Sequence, residues 1–516
     1  MRITEIRLKN FRSYRGETVI PIQNLNVFVG KNDVGKSTIL EALDIFFNEN
    51  KGVVKIDRED VNKLALANAE NEIIICVIFD ELPERLVLDA TNETTLVSEY
   101  LLNSVGRLEV VKKYPNGSSS AKVFVKAYHP THEICADLLQ KKQNDLRKII
   151  REQGIDCEDQ TRNAIMRSAI WNHFHGELQC EEREIDVTKG ETKDIWDKLK
   201  IHMPLYSLFQ SDRKNSDGDS EVQEPMQFAV SQILKNPELQ NTLDGVAEIV
   251  TQKLIEVAEI TLAKIREMNP EIADSLTPVI PSPDSLKWKD VFKNVSITGD
   301  ENIPINKRGS GVKRLILLNF FRAEAERRRT EENIPSIIYA IEEPETSQHS
   351  QHQKQLIKAL IRLSDTANTQ IILTTHSPVI VKELDFNHLK MVLKDGEIKT
   401  VNSVESGQLP YPSLNEVNFT AFNEITEEYH NELYGFIENE GRMNDYRNGK
   451  HTMAYTKVLR NGNTRVEQII LTEYIRHQIH HPENLNNVRF TEEQLGNSIR
   501  NMRQFIEDEA LIAVEE

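Results

Sequence analysis

The segment LNVFVGKNDVGKSTILEAL, residues 25–43, decides the fold. It contains GKNDVGKS, from Gly30 to Ser37, which matches the pattern G-x-x-x-x-G-K-[ST]. An apolar strand leads into this pattern, and a helix predicted from Ser37 to Phe47 leaves it, which is the context that a phosphate-binding P-loop requires. The alternative is a chance glycine-rich turn, which the agreement of strand, loop and helix disfavours. The segment therefore predicts binding of ATP or GTP.

The residue types of this loop suit phosphate chemistry. Glycines let backbone N–H groups turn inward, and the start of a helix carries partial positive charge, so both favour a bound anion. We expect Lys36 to reach the β- and γ-phosphates, which also makes it a candidate catalytic residue, and the Ser37 hydroxyl to ligate Mg²⁺. The predicted nucleotide-binding residues of the loop are Gly30, Asn32, Gly35, Lys36, Ser37 and Thr38.

Length and composition predict a soluble protein of two or three domains. The chain has 516 residues, of which 28% are charged and 39% hydrophobic, with a mean hydropathy of −0.48. We find no apolar run long enough to cross a bilayer, and the start MRITEIRLKN has a strand pattern in place of a signal sequence. We therefore expect a cytoplasmic protein that has no membrane partner.

Cysteine spacing and net charge limit the metals and macromolecules that we expect this protein to bind. The four cysteines are far apart with no C-x-x-C pair, which favours free thiols in a reducing compartment over a structural zinc site: Cys76, Cys135, Cys157 and Cys180. A net charge of −18 argues against a generally basic, nucleic-acid-coating surface. A local basic groove stays open, so nucleic acid remains a candidate partner, and the basic segment from Lys9 to Arg15 could contact phosphates.

The order of strand and helix patterns predicts an α/β protein with insertions. Two short strands fill residues 1–22, and a β-meander at 71–128 packs beside the P-loop. A strand-like segment at 203–210 is followed by helix from 225 to 268. We expect five segments: the first part of a P-loop domain (1–130), a helical insertion (131–200), a strand plus helical lobe (201–300), the second part of the P-loop domain (301–400) and a helical C-terminal domain (415–516).

Three further motifs lie between residues 300 and 380. The turn Gly309-Ser310-Gly311 begins an apolar helix whose amides, with the Ser310 hydroxyl, could receive a γ-phosphate, although an ordinary N-capped helix is the alternative. A buried-strand pattern ends in Glu342-Glu343-Pro344, where one carboxylate would lie near Mg²⁺ and the other near an attacking water. Another such pattern ends in Thr375-His376-Ser377. A single histidine there is usually structural, but this order of motifs favours γ-phosphate sensing.

In this order the four segments resemble the ABC-type ATPase head of the SMC, RecF and OLD families. GKNDVGKS corresponds to Walker A, RGSGVKR to the signature, YAIEEPE to Walker B and TTHSP to the switch histidine, over roughly 1–130 and 200–400. The resemblance implies an α/β fold: an ABC-type P-loop ATPase head with a mixed sheet, a β-meander lobe, helical insertions and a C-terminal all-α domain. It also implies a homodimer or higher homo-oligomer in which two heads associate head to tail around ATP and Mg²⁺.

Carried over by position, the resemblance gives each motif residue a role. Lys36 and Ser37 would hold phosphate and Mg²⁺, and the signature residues Ser310 and Gly311 would contact the γ-phosphate of the other subunit's ATP. Glu343 would be the general base and His376 the γ-phosphate sensor. The remaining candidate metal ligands are Glu342, where the family usually has the shorter Asp, and Gln210, a candidate for the unclear Q-loop.

OLD-family proteins follow this head with a Toprim nuclease, in which a Glu and paired Asp residues end successive apolar strands. We recognise no such acidic constellation after His376. A head without Toprim resembles the ATPases of bacterial anti-phage systems of the Septu and retron-linked type, which act with a separate nuclease. This resemblance implies a partner nuclease.

Residues 415–516 read as a small helical domain. We predict helices in EITEEYHNELYGFIENEGRM, VEQIILTEYIRHQIHH and TEEQLGNSIRNMRQFIEDEALI, the last with a capping box from Thr491 to Gln494. Arg476 and His481 form an Arg-x4-His motif that resembles the active site of HEPN-domain RNases, where His acts as acid or base and Arg stabilises phosphorane-like charge. The alternatives are basic residues that suit a helix C-terminus, or an inactive module that holds a partner.

Three functions are compatible with these motifs. The first is an ATPase, with fast or slow turnover, that acts as a nucleotide-gated sensor or regulator of a nuclease effector in prokaryotic anti-phage defence. The second is a self-contained effector in which the head controls a C-terminal RNase. The third is a RecF-like DNA repair ATPase.

Overall fold

The computed structural model describes residues 1–49, 51–89, 92–189, 192–210, 234, 237–268, 322, 326, 329–330, 334–396, 398–404, 413–459 and 462–515. The chain divides into two compact units. One unit consists of Met1–Ser211, Arg329–Glu345 and His349–Glu516, and the other of Asp212–Arg328 and Thr346–Gln348. Strands and helices are numbered below along the described residues. None of the helices in these ranges is long and apolar enough to span a bilayer.

A six-stranded mixed sheet carries the P-loop in the first unit. Its order is β10 (Leu205–Phe209), β11 (Ile337–Glu342), β12 (Thr369–Thr374), β3 (Leu25–Val29), β13 (Leu389–Asp395) and β14 (Ile398–Ser403). The first five strands run parallel, and only β14 runs antiparallel to its neighbour. Strands β3 and β12 are buried along their whole length, as expected for a covered parallel sheet, and the buried residues include the polar Asn26 and Gln370.

The meander forms a second, antiparallel sheet. Its order is β2 (Thr18–Pro21), β1 (Arg2–Lys9), β4 (Glu72–Asp80), β7 (Leu108–Pro115), β8 (Lys122–His129) and β9 (Glu181–Asp186), and a short hairpin joins β5 (Leu86–Asp89) to β6 (Asn92–Thr94). One hydrophobic core contains residues from both sheets. The predicted α/β architecture, with a mixed sheet around the P-loop strand and a β-meander, is confirmed.

Strand β9 corrects the prediction that residues 131–200 are wholly helical. It pairs with β8 at the edge of the antiparallel sheet, and the first four of its residues are exposed. Its sequence EEREID has a single apolar residue, Ile185, so it lacks the alternation that identifies a strand. Charged residues suit an edge strand because they discourage pairing with another chain.

Both units contain helices. Before the C-terminal residues, the helices of the first unit are α1 (Lys36–Asn48), α2 (Lys63–Ala67), α3 (Gln143–Glu152), α4 (Asn163–His173), α5 (Thr192–Lys200), α7 (Ser350–Ser364) and α8 (Pro378–Val381). Helix α1 agrees with the predicted P-loop helix, and it packs against β10, β11 and β12. The second unit contains α6 (Pro237–Met268), within the stretch predicted as helix; residues 225–233 of that stretch lie outside the described residues.

A buried ion pair fastens the helical insertion to the meander lobe. The Arg167 guanidinium on α4 donates from Nε and Nη2 to the two carboxylate oxygens of Glu99, each at 2.7 Å. Both side chains are almost fully buried, and the Thr94 hydroxyl donates to the same carboxylate. The bidentate geometry satisfies charges that would otherwise be costly to bury.

The C-terminal residues form a domain with its own core. Its elements are α9 (Leu414–Phe422), α10 (Glu427–Asn439), α11 (Met443–Arg447), β15 (Thr452–Val458), β16 (Thr464–Ile470), α12 (Leu471–His480) and α13 (Glu492–Glu515). Each of the three predicted segments contains a helix, and Thr491 and Gln494 exchange the hydrogen bonds of a capping box.

The hairpin β15–β16 corrects the expectation of an all-α domain and of one continuous helix in VEQIILTEYIRHQIHH. Residues Val466 to Ile470 pair with β15, and the helix begins only at Leu471. A short apolar run does not distinguish strand from helix by its periodicity, and here the pairing partner decides the outcome.

Candidate functional site

Four parallel strands bring the separate motifs to one edge of the mixed sheet. Gln210 follows β10, Glu342 ends β11, Thr375 follows β12 and Gly30 follows β3. Because these strands are adjacent and parallel, their carboxyl ends share one edge, where α/β proteins bind their ligands. The fold therefore gathers the segments predicted as Walker A, Walker B and the switch histidine, together with the candidate Q-loop residue.

The P-loop backbone requires glycine at two positions. Gly30 and Gly35 have φ angles of 150° and 103°, which residues with a side chain rarely adopt. A Cβ atom would lie 2.6 Å from the Val392 carbonyl oxygen at Gly30 and 2.7 Å from the Ser13 hydroxyl at Gly35. The loop can therefore take this shape only with glycine at both positions.

Lys36 is buried inside the loop at the start of α1. Its Nζ atom donates hydrogen bonds to the carbonyl oxygens of Gly30 and Lys31, each at 2.9 Å. Burial lowers the pKa of Lys36 to about 8, although the carboxylates of Glu343, Asp33 and Glu345 oppose this shift. If phosphate oxygens replaced the two carbonyl oxygens, their negative charge would favour the charged form of the Lys36 amine.

The other loop residues differ in exposure. Asn32 is exposed, Ser37 is half-buried in the first turn of α1, and Thr38 is buried. The exposed and half-buried groups could contact a ligand directly. The buried position of Thr38 gives its hydroxyl little access to one.

The basic turn before β2 contacts the P-loop and the helix α1 that follows it. The Tyr14 hydroxyl donates to the Gly35 carbonyl oxygen at 3.0 Å. Arg12 pairs with Glu41 of α1, and its Nε donates to Asp60 at 2.7 Å. Gln210 donates from its amide to the other Glu41 oxygen at 3.2 Å. Arg12 is therefore held by carboxylates, and Gln210, a predicted metal ligand, contacts the P-loop helix.

The two acidic residues at the end of β11 differ in conformation. Glu342 lies in register with Thr374 of β12. Glu343 has a φ of 41°, and its amide donates to the Thr374 carbonyl oxygen at 3.1 Å. Such a left-handed residue is uncommon outside glycine, and its backbone bonds to β12 hold it here.

Glu343 and His376 are in direct contact. The Nε2 atom of His376 lies 2.9 Å from Oε1 of Glu343, and both side chains are 30% exposed. A carboxylate beside an imidazole fixes the orientation of the ring and can accept a proton from a water molecule within reach. The two residues can therefore act together at the open edge of the sheet.

Glu345 is a residue of this edge that sequence reasoning missed. Its side chain is buried, and its Oε1 accepts hydrogen bonds from the Thr375 hydroxyl at 2.7 Å and the His376 amide at 2.8 Å. Burial raises the pKa of Glu345, with the nearby Glu343 adding to the rise and the hydrogen bonds opposing it. The only sequence signal was one more Glu two residues after the pair, in EEPE.

Two groups of predicted residues are not among the contacts at this edge that the structure describes. The signature residues Ser310 and Gly311 lie outside the described residues. In the C-terminal domain, Arg476 stacks over the Tyr434 ring at 4.0 Å and pairs with Glu438 at 3.2 Å. His481, one residue beyond α12, is exposed and contacts Glu483 at 3.2 Å.

Arg476 and His481 contact different partners, so their joint action stays a prediction. Five residues along a helix correspond to a rotation of about 140° about its axis, and the His481 amide donates to the His477 carbonyl oxygen at 2.9 Å in the last turn of α12. The geometry therefore gives no support to a joint action of these two side chains within one chain.

The side chains at this edge of the sheet could hold Mg²⁺ together with the phosphates of a nucleotide. In the described ranges no group of three or more His, Cys, Asp or Glu side chains could hold a metal ion alone. Mg²⁺ usually takes one or two protein oxygens together with waters and substrate phosphates. The Ser37 hydroxyl and the Glu342 carboxylate, at the same sheet edge, fit that pattern.

A family model described as an AAA ATPase domain matches residues 1–381. The chain belongs to this family. The match spans the P-loop, the acidic pair and the switch histidine, so the ATPase class predicted from the motif order is confirmed. It ends before the C-terminal domain.

Curated relatives of this AAA ATPase domain protein include nucleases. The Endonuclease GajA of Bacillus cereus strain HuB5-5 is 22% identical over 407 residues, which cover 74% of this chain and 56% of that protein. The OLD nuclease of Thermus scotoductus is 34% identical over 104 residues, 20% of this chain and 19% of that protein. The DNA replication and repair protein RecF of Acetivibrio thermocellus is 40% identical over 62 residues, 12% of this chain and 17% of that protein. The chain thus spans little more than half the length of even the GajA relative.

Solved structures similar to this chain include SMC heads. The SMC head domain from Thermotoga maritima has a TM-score of 0.32 and 13% identity, covering 79% of this chain and 100% of that one. The SmcHead bound to the C-winged helix domain of ScpA has a TM-score of 0.37 and 14% identity, covering 78% and 97%.

Proposed function

We propose that this protein hydrolyses ATP at the edge described above and uses ATP-dependent association of two heads to regulate a nuclease in prokaryotic anti-phage defence. The observation that carries the proposal is the contact between Glu343 and His376 beside the P-loop lysine. A P-loop alone binds nucleotide, whereas a carboxylate and an imidazole at the phosphate end of the loop add the means to activate water.

Each residue has a defined part in the proposed reaction. The P-loop amides and Lys36 hold the β- and γ-phosphates, and Lys36 leaves the carbonyl oxygens of Gly30 and Lys31 to do so. Glu343 accepts a proton from the attacking water, and His376 orients Glu343 and donates to the γ-phosphate. Ser37 and Glu342, with Gln210 nearby, would hold Mg²⁺, which neutralises charge on the transferred phosphate.

A second copy of the chain completes the proposed site. The resemblance to ABC-type heads gives Ser310 and Gly311 a contact with the γ-phosphate bound by the other subunit. ATP would then hold two heads together, and its hydrolysis would release them. Either a homodimer or a higher homo-oligomer satisfies this arrangement.

The nuclease link rests on the relatives and on the resemblance. Two of the relatives are named nucleases, and the match reaches little more than half the length of the GajA relative. The resemblance to Toprim-free anti-phage ATPases suggests that the nuclease is a separate protein that acts with this chain in the cytoplasm. The local match to RecF favours a DNA repair ATPase as the second candidate.

The proposal is tested with the purified full chain, ATP and Mg²⁺, with labelled DNA and RNA present. We expect phosphate release that is lost in Lys36→Ala and strongly reduced in Glu343→Gln. Phosphate release equal in all three proteins would reject the ATPase site. Nucleic acid cleavage by the chain alone, abolished by His481→Ala, would favour the self-contained RNase over the regulator.

A further inference from the structure

Glu345 connects the turn after β11 to the turn after β12. Its Oε1 accepts the Thr375 hydroxyl and the His376 amide, and the Thr375 oxygen in turn accepts the Ser377 amide at 3.0 Å. The Ser377 hydroxyl caps α8 and donates to Gln353 of α7 at 2.6 Å. A continuous set of hydrogen bonds therefore runs from Glu345 through the turn that carries His376.

The second carboxylate oxygen of Glu345 has an unusual environment. Oε2 is buried and has no hydrogen-bond partner among the described residues. A buried polar atom without a partner is costly and is retained mainly where it has a function. The raised pKa of Glu345 limits this cost because the neutral carboxyl is cheaper to bury than the charged one. The charged form of Glu345 also opposes the lowering of the Lys36 pKa.

The arrangement determines where the His376 ring can lie. One hydrogen bond fixes the His376 backbone amide, and the ring of the same residue reaches Glu343 at 2.9 Å. A displacement of the backbone by about 1 Å would break a contact of that length. The pairing of the His376 ring with Glu343 therefore depends on the side chain of Glu345, which contacts the backbone of His376 and not its ring.

We propose that Glu345 is a positioning residue for ATP hydrolysis, which holds the Thr375–Ser377 turn so that His376 stays paired with Glu343. This inference rests on the proposed function, since it assigns Glu345 to the same site. It separates two tasks: the P-loop residues determine how tightly ATP binds, and Glu345 determines how well the bound ATP reacts. A residue that only stabilised the fold would not produce this separation.

The test compares three full-length variants with the wild-type protein. Glu345→Ala removes the hydrogen-bond acceptor. Glu345→Gln keeps a side chain of the same length with an acceptor oxygen, and like the neutral carboxyl it has no charge. Tyr446→Phe is the control, because it removes a buried hydrogen bond to Thr472 in the C-terminal domain, away from the site. The measurements are kcat and KM for ATP hydrolysis, affinity for a non-hydrolysable ATP analogue, and the imidazole ¹⁵N resonances of His376 without nucleotide.

For Glu345→Ala we expect kcat to fall by about 100-fold, as for a misplaced reacting group, with KM and analogue affinity close to wild type. Its His376 resonances should differ from those of the wild-type protein. Glu345→Gln should recover most of kcat and the wild-type resonances, and Tyr446→Phe should alter neither. A wild-type kcat in Glu345→Ala, or a loss of kcat equal in the alanine and glutamine variants, would overturn the inference.

The resonances decide the inference independently of turnover. If the wild-type protein releases no phosphate, the proposed function fails, and the His376 resonances still report whether Glu345 positions the ring. Resonances of His376 in Glu345→Ala that match the wild type would then overturn the positioning role. Shifted resonances that return in Glu345→Gln would support it.

Discussion

The imidazole of His376 and the carboxylate of Glu343 lie 2.9 Å apart at the carboxyl edge of the mixed sheet. The two residues follow different strands, β11 and β12, whose parallel pairing sets Glu342 beside Thr374. Register between the strands thus fixes the contact, and the left-handed backbone of Glu343 turns its side chain into position. A one-residue slip would turn these side chains to the opposite faces and separate the pair.

Replacing the proposed base should uncouple ATP binding from hydrolysis. Glu343→Gln keeps the size of the side chain but removes the proton acceptor, so we expect kcat to fall by about 100-fold or more while ATP still binds. Phosphate release and analytical ultracentrifugation with ATP would show slow turnover and an accumulated dimer. The matched control is Glu440→Gln on the exposed end of α10, which should behave as wild type. Undiminished turnover in Glu343→Gln would mean that another residue is the base.

Nucleotide affinity should depend on pH through Lys36. Its pKa is lowered to about 8 by burial, so in the free protein the amine loses its charge as the pH rises through that value. Phosphate binding favours the charged amine, and we expect affinity for an ATP analogue to fall by about tenfold from pH 7 to pH 9. Titration calorimetry at both pH values measures this change.

Lys36→Arg is the control for that experiment because a guanidinium stays charged throughout the range. Its affinity, even if weaker, should be independent of pH between 7 and 9. A wild-type affinity that also stays constant between pH 7 and pH 9 would contradict the lowered pKa of Lys36.

Several features of this site could be predicted from sequence and others could not. The P-loop, β3 and α1 form a contiguous pattern, and the strands that precede Glu343 and His376 each contain a run of apolar residues. Glu345 gave no such signal, because its importance lies in a buried hydrogen bond to a turn that is distant in sequence. Strand β9 and the hairpin β15–β16 were missed for the same reason, since pairing partners decide their structure.

The P-loop glycine before Lys36 should not tolerate a side chain. Gly35→Ala would place a methyl group 2.7 Å from the Ser13 hydroxyl at a φ of 103°, so the loop must change shape. We expect nucleotide affinity to fall by at least tenfold. Gly106→Ala is the matched control, since Gly106 has a φ of 77° but open space around it, and nucleotide affinity should be unchanged there. Unchanged affinity in Gly35→Ala would show that the loop shape is not required.

The buried ion pair of the helical insertion should be important for stability. Arg167→Ala leaves the Glu99 carboxylate buried without its partner, and we expect a loss of about 3–5 kcal/mol in the free energy of unfolding. Urea denaturation followed by fluorescence measures this loss. The double variant Glu99→Leu with Arg167→Met should recover much of it, because apolar side chains of similar size need no counter-charge. A loss below about 1 kcal/mol in Arg167→Ala would indicate that water reaches the carboxylate.

The head-to-tail arrangement predicts complementation between two inactive variants. Lys36→Ala removes the P-loop function, and Ser310→Arg blocks the proposed signature contact, so each protein alone should release little phosphate. In a mixed dimer one of the two composite sites combines the intact Lys36 of one subunit with the intact Ser310 of the other. An equal mixture should therefore recover about a quarter of wild-type turnover, because about half of the dimers are mixed and each has one working site. If each site lies within one subunit, mixing will restore nothing, and the full activity of Ser310→Arg alone would remove the signature from the site.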